Sequence, residues 1–178
     1  MSKPSPEEAV RLLTISNIDE FNRWRMRNFN VKLVIDGIDF SGKDISAAYL
    51  NGVSCVSANF TYCNLSKVNL VQADLSNVNF ERANLTDGLL LYAEMKECNL
   101  LNTNLTGTNL MWANLQNSNM SGCILSKTIF VYANLTNVRL DNVDQKRAYL
   151  KYAKLKGTAW QVEEPDTLRE GTEKQVPN

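Results

Sequence analysis

Residues able to do chemistry are scarce in this chain. It contains no histidine, which removes the commonest general base and the usual activator of a nucleophilic serine or cysteine. Its cysteines, Cys55, Cys63, Cys98 and Cys123, form no CxxC pair, so neither a zinc site nor a dithiol redox motif is spelled out. The stretch from Gly37 to Asp44 (Gly-Ile-Asp-Phe-Ser-Gly-Lys-Asp) approaches the phosphate-loop pattern GxxxxGK[ST]. It ends on Asp44 where the magnesium-binding hydroxyl belongs, and no helix follows. Asn59-Phe60-Thr61 and Asn64-Leu65-Ser66 match a glycosylation sequon only because a repeat generates them. No catalytic residue, metal ligand set or cofactor is therefore expected. Nineteen acidic residues balance nineteen basic ones, so no global field draws the chain to nucleic acid or to an anionic membrane. No apolar run reaches the roughly 18 residues of a membrane-spanning helix. The expectation is a cytoplasmic protein whose partner is neither nucleic acid nor membrane.

The elements that position these residues follow from a repeat. Every fifth residue from Ile35 to Trp160 is apolar except Gln145, and two residues before each runs a track of Ala, Val, Cys, Gly, Ser or Thr from Ala48 to Thr158. Between the two tracks Asn or Asp predominates, as in Ala73-Asp74-Leu75 and Ala83-Asn84-Leu85. Two residues separated by one point to the same side of an extended segment, so the small and large residues face inward and the Asn faces out. The remaining two must turn the chain. A helix is excluded, because a period of five drifts around a 3.6-residue screw. Phe40, Phe60 and Phe80, and Ala93, Ala113, Ala133 and Ala153, recur twenty residues apart, which predicts that neighbours twenty apart lie above one another. Cys63 and Cys123 share such a column but stand three coils apart, about 14 Å at the usual inter-strand spacing, too far for a disulfide. Four reduced, buried thiols are expected.

The A(D/N)LXX units over about residues 31–160 resemble the signature of pentapeptide-repeat proteins, a family abundant in cyanobacteria. The resemblance implies an all-β solenoid, a right-handed quadrilateral β-helix with four pentapeptides to a coil. Residues 1–30 are expected to form an N-terminal α-helical cap. Ser5-Pro6-Glu7-Glu8 reads as a capping box opening a helix to about Leu13, and Ser16 as the start of a second helix to about Arg27 with Ile18, Phe21 and Trp24 as its apolar stripe. Phe21-Asn22-Arg23-Trp24-Arg25 also resembles the helical leaders of cyanobacterial members. Lys43 occupies an inward slot and predicts a first coil that is irregular or opens to solvent. Residues 161–178 are polar and read as a flexible tail, and the C-terminal end of the rod is a candidate for homodimer contact.

The sharpest outward feature is aromatic. Tyr92, Trp112, Tyr132 and Tyr152 are spaced by twenty and predict a stacked ladder, flanked by Val71, Leu91, Met111 and Val131. Such a strip reads either as an interaction face or as side chains that only brace the coils. The interaction face is assigned to Leu91, Tyr92, Met111, Trp112, Val131, Tyr132 and Tyr152. Basic residues gather near the C-terminal end, and are read as a solvated, lysine-protected edge. The expected function is a non-enzymatic protein–protein interaction scaffold with an unidentified protein partner. The resemblance supplies one alternative, a DNA mimic that binds DNA gyrase, which requires a dense acidic surface. Residues 40–160 instead hold eleven basic and eight acidic residues.

Overall fold

A computed structural model describes residues 5–161. Two helices, α1 (Pro6–Thr14) and α2 (Ile18–Arg27), precede the coils. Ser5 accepts a hydrogen bond from the Glu8 N–H at 3.3 Å, with Pro6 in the first turn. The Glu8 carboxylate turns away from Ser5 and takes Arg11 instead, at 2.7 Å. The cap of α2 is Asn17, whose Oδ1 accepts from the Glu20 N–H, and not Ser16. Ser16 adopts φ +57° and serves the end of α1: its N–H donates to the Leu13 carbonyl, and that of Asn17 to Leu12. This pair of bonds is a Schellman closure, and its left-handed residue cannot also open the next helix.

From Val34↔Ser54 through Asn134↔Lys154 the residues at outward wall centres bridge in parallel to the residue twenty ahead, Ile124 excepted. The period read from the sequence is therefore the coil. In nearly every pentapeptide the small inward residue donates its N–H back to the preceding large residue's carbonyl, as Ala48 does to Ile45 at 3.3 Å and Ala83 to Phe80 at 2.9 Å. The residue just before it takes positive φ at almost every corner, whether glycine (Gly52, +66°) or not (Lys67, +58°). The outward Asn or Asp closes the corner: Asn84 Oδ1 accepts the Thr86 N–H at 3.1 Å, and Asp74 Oδ1 that of Ser76 at the same distance. This is why Asn and Asp fill that track, since a short side-chain carbonyl reaches the N–H two residues on.

The core is the inward pair of tracks. Phe40, Phe60 and Phe80 stack at 5.2 and 5.5 Å, and the large residues are fully buried from Ile35 through Leu140. Polar members of the small track are satisfied rather than merely tolerated. Thr103, Thr108, Ser118 and Thr128 each donate to a carbonyl twenty-three residues earlier, at 2.7–2.8 Å. Among the described residues no buried side-chain nitrogen or oxygen lacks a partner. Lys43 keeps a regular backbone, donating to Phe40 and accepting from Asn64, while its side chain is exposed; the first coil opens to solvent there without becoming irregular. Gln145, the polar exception in the large track, is exposed in a 3-10 turn over Gln145–Arg147. An amide that would find no partner inside the tube swings the wall outward. The chain rejoins the stack where β1 (Thr128–Ile129) pairs in parallel with β2 (Ala148–Tyr149).

A first coil has no coil beneath it, and α2 supplies the missing partners on one wall. In the interior of the rod, an N–H such as that of Asn69 donates to the coil below, and the carbonyls of Asn69 and Val71 accept from it. Their first-coil counterparts are the Tyr49 N–H and the Tyr49 and Asn51 carbonyls. Asn22 Oδ1 accepts the Tyr49 N–H at 2.8 Å, and Arg25 donates from Nε to Tyr49 and from Nη2 to Asn51 at 3.1 and 2.8 Å. A third bond from Nη1 reaches the Val31 carbonyl at 3.0 Å. Arg25 is buried, and that burial pulls its pKa below the ordinary arginine value. Arg25→Ala should destabilise the protein by about 2–3 kcal/mol, since three carbonyls lose charged donors. Arg25→Lys should recover little of it, because an ammonium lacks the planar fork. Thermal unfolding with amide exchange at Leu50 and Gly52 checks this; full rescue by lysine would contradict the assigned geometry.

Candidate functional site

The residues singled out for chemistry by type are absorbed by the coil. Gly37 and Gly42 are left-handed corners, at φ +65° and +66°. Asp39 and Asp44 are bridged wall centres, and the N–H and hydroxyl of Ser41 and Ser46 hold their carboxyls below the ordinary range. The segment is therefore a stretch of ordinary wall and corner. All four cysteines are buried and unbridged. Cys98 and Cys123 donate from sulfur to the Leu75 and Leu100 carbonyls at 3.0 Å, as the buried threonines do from oxygen. Burial pushes the thiols of Cys63, Cys98 and Cys123 up to about 12 and raises Cys55 as well.

The outward aromatic column is continuous. Tyr92 stacks on Trp112 with ring centroids 6.3 Å apart and planes 5° from parallel, Trp112 on Tyr132 at 4.1 Å and 4°, and Tyr132 on Tyr152 at 4.8 Å and 20°. The four residues are 53%, 46%, 41% and 60% exposed. Val71, Leu91, Met111 and Val131 lie half-buried beside them. Each ladder residue also occupies the left-handed corner position, with φ between +58° and +63°. For a bulky side chain that conformation costs roughly 1–2 kcal/mol, which glycine avoids and Asn tolerates better.

The wall leading into this corner carries apolar residues absent from the sequence-based assignment. Its centre column runs Tyr49, Asn69, Leu89, Asn109, Ile129, Tyr149, each bridged to the next. Leu89 and Tyr149 are 43% and 58% exposed, and Ile129 is half-buried. Where Leu and Ile replace Asn, the Asx bond that closes the corner is lost: Asn109 Oδ1 accepts the Met111 N–H at 3.1 Å, while Leu89 and Ile129 have no oxygen to accept from Leu91 or Val131. The signal was present in the sequence as departures from the Asn/Asp track. The opposite corner of the same wall carries Lys127, beside Lys146 and Arg147 of the 3-10 turn. Ser126, Lys127, Lys146, Arg147, Ala148 and Tyr149 line one open cleft.

Comparison with known proteins identifies the family. The model of the family described as pentapeptide repeats matches in eight copies, over residues 38–77, 54–90, 79–116, 93–130 and 108–144. The chain belongs to the pentapeptide repeat family. A pentapeptide repeat protein from the Arabidopsis thaliana thylakoid lumen is 26% identical, with a TM-score of 0.52 over 53% of this chain and 66% of that one. HetL, a pentapeptide repeat protein involved in heterocyst differentiation regulation from the cyanobacterium Nostoc, is 22% identical over 70% of this chain and 75% of its own, at a TM-score of 0.44. QnrB1, a plasmid-mediated fluoroquinolone resistance protein, is 20% identical over 70% of this chain and 78% of its own, at 0.47. No curated protein matches the chain. As a pentapeptide repeat protein it is a right-handed quadrilateral β-helix, here with two N-terminal helices. Among the described residues no helix is long and apolar enough to cross a membrane, and no group of His, Cys, Asp or Glu could hold a metal ion. Apart from Gln161, the expected tail at 161–178 lies outside the described residues.

The raised thiol values make a prediction for pH. Folded thiols titrate near 12 whereas unfolded ones titrate near 8.5. Their contribution to stability is therefore complete below about pH 8.5 and declines as pH rises from there toward 12. Native protein at pH 8 should leave a thiol reagent unreacted while denatured protein consumes four equivalents, one for each cysteine. Rapid labelling of native Cys98 or Cys123 would contradict their placement.

Proposed function

We propose that the protein is a non-catalytic interaction scaffold that engages a protein partner through the face formed by Leu91, Tyr92, Met111, Trp112, Val131, Tyr132 and Tyr152, extended across the adjoining wall by Leu89, Ile129 and Tyr149. The observation that carries the reading is the conflict between this face and local backbone preference. Four aromatic residues occupy left-handed corners, and at Leu89 and Ile129 the wall forgoes the Asn that elsewhere closes the turn. Positions that break the local rule without gain to the fold are where function is expected. A contiguous apolar strip on a polar rod is the usual form of a protein contact surface, and Trp and Tyr are its usual anchors.

The DNA-mimic alternative has no comparable support. A partner that reads phosphate charge needs a dense acidic surface, and the coils carry more basic than acidic residues.

Magnitudes separate a binding face from a bracing one. In Tyr132→Asn, release from the left-handed penalty, roughly 1 kcal/mol, offsets part of the loss of two stacking contacts, each worth about 0.5–1.5 kcal/mol. Stability should fall by no more than about 2 kcal/mol. Crosslinking of wild type beside Trp112→Ala should show products that the variant loses. Unchanged crosslinking in Trp112→Ala, or a drop in stability of several kcal/mol in Tyr132→Asn, assigns the ladder to bracing instead.

A further inference from the structure

We infer that the wall centred on Leu89, Ile129 and Tyr149 receives an acidic amphipathic segment of a partner protein, its apolar residues against that wall and the ladder, its carboxylates against the basic corner opposite. This rests on the interaction reading above and adds the chemistry of the occupant.

The wall is bordered asymmetrically. One corner is the aromatic ladder, topped by Lys151 with its Nζ 4.9 Å from the Tyr152 ring centre. At the other, Lys127, Lys146 and Arg147 share an open cleft with Tyr149, so cationic groups stand directly beside the apolar column. They are available. Among the described residues neither Lys127 nor Lys146 has a carboxylate within ion-pair distance, and the Arg147–Asp144 pair, at 3.8 Å, leaves both side chains well exposed. Exposed pairs of this kind hold their partners weakly. The nearest acid on the basic corner's column is Asp87, two coils below Lys127 and beside Leu89, its Oδ1 lying over Gly107.

The rings themselves discriminate between acidic partners. Single-stranded nucleic acid binds to aromatic residues by stacking bases on free ring faces. Here each interior face is already covered by the next ring at 4.1–6.3 Å with planes within 20°. The ladder presents ring edges and an extended apolar surface, which suits aliphatic side chains. A flat strip of this kind with cations along one side matches an amphipathic segment whose acids lie beside its apolar face, and complementary charge at such a rim governs orientation and association rate.

The test uses two synthetic amphipathic peptides with the same leucine positions, one carrying Glu and the other Lys at every polar position, labelled for fluorescence anisotropy at low salt. Wild-type protein should bind the Glu peptide about tenfold more tightly than the Lys peptide, and Lys127→Glu/Lys146→Glu/Arg147→Glu should invert that order. Trp112→Ala should weaken the Glu peptide by a similar factor. All the substituted side chains except the partly exposed tryptophan are fully at the surface, and circular dichroism confirms folding of each variant. Failure to bind the Glu peptide, or a Lys peptide bound equally well, overturns the inference. The crosslinking pattern of Trp112→Ala, read separately, decides whether the face falls with it.

Discussion

Nearly every fifth residue of the coils enters the left-handed region, and every twentieth must return to the same azimuth one coil higher. The first requirement makes the corners, and the second makes the parallel ladder of bonds that runs from Val34 to Lys154. Between them they fix the roles of all five residues in the unit. Two face inward and fill the tube, one faces outward and closes the corner with its side-chain oxygen, and two turn the chain. Because side chains are stacked in columns, a residue type chosen once in each coil becomes a continuous surface stripe. A ladder of four aromatic rings is thus the product of four separate choices, each made at a corner where glycine or asparagine would be easier.

The same constraint creates the problem of the ends. A coil with nothing beneath it exposes N–H and carbonyl groups in register. The first coil meets them on one wall with the side chains of Asn22 and Arg25, which imitate the strand that is missing. At the other end the break in the inward pattern at Gln145 releases a short 3-10 turn. That turn carries Lys146 and Arg147, which stand in the next coil above Ser126 and Lys127, so positive charge borders the apolar wall.

Much of this was legible in the sequence because a side-chain period of five and a coil period of twenty leave direct traces in the residue order. The inward tracks, the stacked phenylalanines, the aromatic ladder and the buried thiols all follow from counting. The cap is a different kind of information. Asn22 and Arg25 act on backbone atoms some twenty-five residues away, and no periodicity in a ten-residue helix points to them. Ser16 and Asn17 are both good helix openers by type, and only the closure of α1 decides between them. Leu89, Ile129 and Tyr149 were visible as lapses from the Asn/Asp track, and became a surface only once the column containing all three was known to adjoin the ladder.

The direct test of the account is whether positions twenty apart touch on this face while positions fifteen apart do not. Trp112→Cys/Tyr132→Cys should form an intramolecular disulfide on mild oxidation, since stacked neighbours one coil apart fall within the span of such a bridge. Asn117→Cys/Tyr132→Cys, on neighbouring corners, should remain reduced. A bridge in the second pair, or none in the first, would contradict the twenty-residue register and with it the surface on which the proposed function depends.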